Sequence, residues 1–250
     1  MSLGCWKGAT WLCCRRLGRR SAEDRSLGDE GGRDARVQTN TALGWWSGIL
    51  AVAFIIAGFF AIDEGGTAGP DAPIGTLVDE IVLSHRRTIV GSVVGMVGAL
   101  LLIWFASALR ARLAREGDAG SLIGFAAYGA GLVMTGGSIA HGSFRLAMST
   151  VHDRDVLSEA IRPLAILGTH VTDALFWGMI GLVVAMSIGA FAARLLPRAM
   201  AIVGVALALG SVALTATDHG APGIALLPWL MVSCLLLLRR ERLVVASDSQ

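Results

Sequence analysis

Beyond residue 42 the chain is divided into six mostly apolar blocks, each about 20 residues long and bounded by charged or turn-forming residues. A helix of about 20 residues crosses the roughly 30 Å hydrocarbon layer of a bilayer and closes its backbone hydrogen bonds within itself. Six such blocks exclude a soluble globular domain. They predict an all-α integral membrane protein, a bundle of six transmembrane helices near residues 45–62, 88–109, 121–143, 164–193, 198–217 and 222–238. Only 16% of the residues are charged, against about a quarter in soluble domains.

Local signals set the block edges. Trp45 and Trp46 open the first span at headgroup level. Pro163 suits the first turn of the fourth span, Pro197 precedes the fifth, and Pro228 is expected to bend the sixth. Residues 1–42 mix Arg, Asp, Glu, Gly and Ser without an apolar period, which predicts a disordered cytoplasmic tail. Residues 241–250 form a second, shorter tail, and no cleavable signal peptide is expected. Within the long loop 63–87, Leu77, Val78, Ile81 and Val82 fall at helical spacing. Two readings fit them: a short amphipathic helix on the outer surface, or an extension of the second span.

Orientation follows from the basic residues. With the N-terminus inside, 16 of the 21 Lys and Arg fall in the inner segments and five in the outer loops: Arg86, Arg87, Arg145, Arg154 and Arg162. The positive-inside rule then places both termini in the cytoplasm, N-in/C-in, for a multi-pass protein of the inner or plasma membrane. Lys7 is the one lysine, and the arginine excess fits the codon usage of a GC-rich bacterial genome.

Several function classes drop out. A net charge of +2 offers no basic face for nucleic acid. Cys5, Cys13, Cys14 and Cys234 give neither a disulfide framework nor zinc-ligand spacing. Nucleophile-elbow, phosphate-loop and dinucleotide motifs are absent. No catalytic residue, metal or cofactor is therefore expected, and the bilayer is the expected partner. Gly91, Gly95 and Gly98 on the second span, with Ala127, Gly131, Thr135, Ser138 and Gly142 on the third, form small-residue faces. Such faces let helices approach closely in lipid, within one chain or in a homo-oligomer.

One polar layer stands out. All five histidines fall on the outer side under this topology. His141, Asp173 and Asp218 each lie about 20 residues from the inner boundary of their spans, roughly 30 Å by helix rise. Ser138, His141 and Arg145 share a face of the third span, while Thr169 and His170 can share one with Asp173 on the fourth. The candidate polar cluster is thus His141, Arg145, His170, Asp173, Asp218 and His219, with Asp173 expected to pair with Arg145 or His141. Such a cluster can fix helix register, form an outer-facing pocket for a small ligand or proton, or hold a metal or haem. Against the last, no span spaces two histidines for a metal, and the inner half has none for transmembrane electron transfer. The expected function is non-enzymatic, structural or regulatory, with a small transporter or ligand sensor as the alternative.

The entry Ser84-His85-Arg86-Arg87, the exit Trp104-Phe105 through Leu113 and the turn Leu195-Leu196-Pro197-Arg198 resemble a group of multi-span membrane proteins from high-GC Gram-positive bacteria. The resemblance covers about residues 45–240 and implies the membrane bundle with its acidic outer loop. It implies no activity.

Overall fold

The computed structural model describes residues 43–61, 72–151, 154–216 and 225–248, and every regular element among them is helical. The helices are α1 (Leu43–Ala61), α2 (Ile74–Leu113), α3 (Gly117–Thr150), α4 (Arg154–Ala193), α5 (Arg198–Ala216) and α6 (Leu226–Asp248). Four helical stretches are long and apolar enough to cross a membrane; one of them, Ile81–Thr150, holds most of α2 and all of α3. The expected tail 1–42 and the residues Asp218 and His219 lie outside the described residues.

Four spans differ from expectation, and the third simply runs longer at both ends, from Gly117 to Thr150. Instead of starting near residue 88, α2 is a single 40-residue helix from Ile74, roughly 60 Å long and twice the hydrocarbon thickness. The segment 75–85 is therefore an extension of the span, not a separate surface helix. No Gly or Pro interrupts residues 76–90, and Leu77 and Val78 are buried against Ile161 of α4 in a small second core. Likewise α4 begins at Arg154 and carries Pro163 inside it. A proline there forfeits one hydrogen bond, and Ile161, two residues before it, packs against α2. Conversely, Pro228 does not bend α6. It is the third residue of that helix, where backbone N–H groups have no intrahelical partner to lose. The helix then runs on through Arg239 and Arg240 to Asp248, into the segment expected as a tail.

Backbone proximity holds the bundle together. A Cβ on Gly58 would lie 2.8 Å from the carbonyl oxygen of Gly91, and one on Gly98 would lie 2.9 Å from that of Ala51, so α1 and α2 touch main chain to main chain. Next, α2 and α3 form an antiparallel hairpin. Gly117 turns it with a φ of 84°, a left-handed value that glycine adopts without strain, and Arg112 pairs with Glu116 at 2.7 Å. Up the hairpin, Gly124 meets Arg110, Gly131 meets Ala106 and Gly142 meets Ser92. Between them Thr135 Oγ1 donates to the Ala99 carbonyl at 3.1 Å. The small residues Ala127, Gly131, Thr135, Ser138 and Gly142 are all buried, so this stripe serves packing within the chain. Crossing from α3 to α4, a Cβ on Gly137 would sit 2.7 Å from the Leu175 backbone nitrogen.

One end of the bundle is basic. Gly44 of α1 faces Ala108 and Gly189 of α4 faces Leu113, which puts the start of α1 and the end of α4 beside the α2–α3 turn. Arg110 lies over the rings of Phe125 and Tyr128 at 5.2 and 5.5 Å. Arg240 of α6 donates to the carbonyl oxygens of Arg194 and Leu195, satisfying groups that the end of α4 leaves open. Outward faces are apolar, as with Trp104 at 71% and Leu209 at 66% exposure. Large exposed apolar surfaces of this kind suit lipid and not water.

Adjacent glycines separate close approach from helix propensity. Gly136→Ala meets nothing within 4 Å, whereas Gly137→Ala drives a methyl into the Leu175 backbone. In thermal unfolding of the detergent-solubilised protein, Gly136→Ala is expected to leave stability unchanged or raised, and Gly137→Ala to lower it by about 1–3 kcal/mol.

Candidate functional site

At the end opposite the basic turn, α1 to α4 line a small, half-open pocket with mostly apolar walls. It is lined by Ile55 and Phe59 from α1, Ser92 from α2, Ser138 and His141 from α3 and Leu175 from α4, together with glycines of α1, α2 and α3. The glycines make it possible, because helices held apart by larger side chains would not converge here. The cavity has about 30 Å³ of space for the centre of a water-sized sphere.

His141 is its chemical centre. Its Nδ1 lies 2.9 Å from Thr172 Oγ1, and the ring stacks on Phe59 with centroids 6.0 Å apart and planes at 17°. The Thr172 hydroxyl has one proton, which it donates to the Gly168 carbonyl at 2.8 Å. Toward His141 the hydroxyl must therefore accept, and Nδ1 must carry a hydrogen. In the neutral ring this selects the Nδ1–H tautomer and leaves Nε2 with a lone pair. Ser138 Oγ donates to the Met134 carbonyl at 2.9 Å, whereas Ser92 Oγ, on a residue only 1% exposed, has no partner.

The rest of the expected cluster is arranged differently. Asp173 instead pairs with His170 in its own helix, 3.7 Å apart and well exposed. His141 reaches α4 one residue earlier, at Thr172. Successive helix residues differ by about 100° in direction, so when Thr172 faces α3, Asp173 turns outward. Arg145 lies half-buried one turn beyond His141 on α3. Among the described residues no group of three metal-capable side chains converges.

Two of the residues overlooked in the sequence sit in legible registers. Thr172, Leu175, Met179, Leu182 and Met186 follow alternating spacings of three and four, and the last four are buried. Thr172 is the polar member of that interior stripe. Ser92 belongs to the corresponding run Thr88, Ser92, Ala99, Leu102, Ala106 and Leu109 on α2. A hydroxyl in the buried register was the available signal, and charge alone drew attention to the outward face. Comparison of the chain with protein-family models, with curated proteins and with solved structures finds no match.

The two faces of α4 give opposite expectations. Thr172→Val strands the Nδ1–H of His141 and is expected to cost about 1–3 kcal/mol. Asp173→Asn removes an exposed ion pair and should change stability by less than about 1 kcal/mol. Thermal unfolding of both variants checks the order, which a larger loss for Asp173→Asn would reverse.

Proposed function

We propose that this chain is a non-enzymatic, regulatory protein of the inner or plasma membrane, with six spans and both termini cytoplasmic, and that the His141 pocket is its ligand-responsive element. Five spans are α1 to α5, and the sixth rests on α6, whose apolar part, Leu226 to Leu238, supplies roughly 20 Å. The orientation rests on arginine. Arg110, Arg112, Arg194 and Arg240 gather at one end of the bundle, the end that the positive-inside rule assigns to the cytoplasm. The pocket then lies toward the outer face.

The placement of His141 carries the functional reading: it lines the cavity while its Nδ1 is tied to Thr172. An imidazole held at one nitrogen and set against a cavity is suited to exchange hydrogen bonds with a guest. A purely structural role is the second reading, favoured by the His141–Thr172 bond, which ties α3 to α4 at a fixed register.

The test has two parts. A C-terminal fluorescent-protein fusion should fluoresce and a C-terminal alkaline phosphatase fusion should be inactive; the reverse overturns the orientation. Thermal unfolding of the full chain against a panel of small polar solutes should then show stabilisation by a bound solute that His141→Phe abolishes. A panel without effect on the wild-type protein leaves the structural role.

A further inference from the structure

One face of α3 carries a register that packing within the chain does not use. Phe125, Gly129, Leu132 and Gly136 follow one another at spacings of four, three and four, which puts them on one side of the helix. Phe125 is 61% exposed and Leu132 42%, and a Cβ on either glycine would meet nothing within 4 Å. By contrast Gly124, Gly131 and Gly142 of the same helix each meet α2. The exposed residues form a shallow apolar track. From Phe125 to Gly136 it rises roughly 16 Å, about the depth of one bilayer leaflet.

Arg110 stands at the head of this track. It is exposed in the last turn of α2, and its guanidinium carbon lies 5.2 Å from the centre of the Phe125 ring and 5.5 Å from that of Tyr128. Rings attract the charge but accept few of the five N–H donors of a guanidinium. Among the described residues the contacts of Arg110 are these two rings. The acceptors nearby serve other arginines: Glu116 pairs with Arg112, and the carbonyls of Arg194 and Leu195 take Arg240. Asp118 lies seven residues before Phe125, roughly 10 Å further toward the end of the bundle.

Charge narrows the occupant. At this end Arg110, Arg112, Arg115, Arg194, Arg198, Arg239 and Arg240 outnumber Glu116, Asp118 and Glu241 by four. An anion is the complementary partner, and the arginine fork matches two phosphate oxygens. A free phosphate would leave the apolar track empty, whereas a phospholipid covers both parts. We propose that this face of α2 and α3 binds one anionic phospholipid, with its phosphate on Arg110 and an acyl chain along Gly129 and Gly136. The two rings hold the guanidinium at headgroup level, so less side-chain freedom is lost when the lipid arrives. The site lies at the other end of the bundle from the His141 pocket and does not depend on it. It requires only that α2 and α3 cross the bilayer.

Native mass spectrometry of the detergent-solubilised full chain tests the site, with palmitoyl-oleoyl phosphatidylglycerol and phosphatidylcholine as probes. The first phosphatidylglycerol should bind the wild-type protein about tenfold more tightly than the first phosphatidylcholine. Arg110→Gln and Gly136→Leu should each remove most of that preference. Arg198→Gln, exposed at the same end but off the track, should keep it. Equal binding of the two lipids by the wild-type protein overturns the proposal without reference to any variant. So does a preference that survives Arg110→Gln or Gly136→Leu, or one that Arg198→Gln weakens equally, which would mean diffuse attraction to the whole basic end. Displacement of the lipid by inorganic phosphate would mark a site for the free anion. A wild-type dimer that Gly136→Leu splits into monomers would give the face to a second copy of the chain; either result overturns the lipid site.

Discussion

Contact between helix backbones is the constraint on which the structure depends. In lipid, helices gain nothing from hiding apolar surface from one another, so association relies on close packing and on hydrogen bonds between helices. Here the approach is set by missing side chains. Gly58 and Gly98 bring α1 onto α2, Gly131 and Gly142 bring α2 onto α3, and Gly137 brings α3 onto α4. Such proximity lets the Thr135 hydroxyl reach the Ala99 carbonyl across the hairpin and the Thr172 hydroxyl reach His141. Each bond crosses an interface that a single bulky residue would have opened.

The same closeness explains the pocket. Four helices meeting through glycine leave a gap where Phe59, Ser92, His141 and Leu175 converge, because backbones without side chains cannot fill the space between them. Polar groups exposed to that gap are costly unless satisfied. The chain satisfies one nitrogen of His141 through a relay from the Gly168 carbonyl to Thr172 to Nδ1. The charged residues of the same level are handled otherwise: His170 and Asp173 pair with each other on the outward face of α4, where long or polar side chains can reach the headgroups and water. Two polar layers at similar depth therefore have different surroundings and different chemistry.

How much of this the sequence disclosed follows from what each feature depends on. Helical character, the span cores and the small-residue stripe of α3 are local properties of composition and period, and they could be read directly. The extensions of α2 and α4 could not, because they are stabilised by each other: Leu77 and Val78 need Ile161, which lies over eighty residues away. Pro163 misled because a proline reads as a helix start unless tertiary contact carries the helix through it. At the site, His141 was legible as an ionisable group inside a span. Its partner was not, since the reasoning sought a charge for a histidine that the fold satisfies with a hydroxyl. Thr172, which bonds His141, precedes Asp173 by one residue, a shift of about 100° around the helix.

The tautomer of His141 tests the central claim most directly, because it depends at once on the α3–α4 contact and on the Thr172 relay. Nitrogen-15 NMR of the histidine-labelled full chain in lipid bilayers resolves the two ring nitrogens. The account predicts a neutral ring protonated at Nδ1, with an unprotonated Nε2, and loss of that preference in Thr172→Val. A ring protonated at Nε2, or one whose tautomer is indifferent to Thr172→Val, would contradict it.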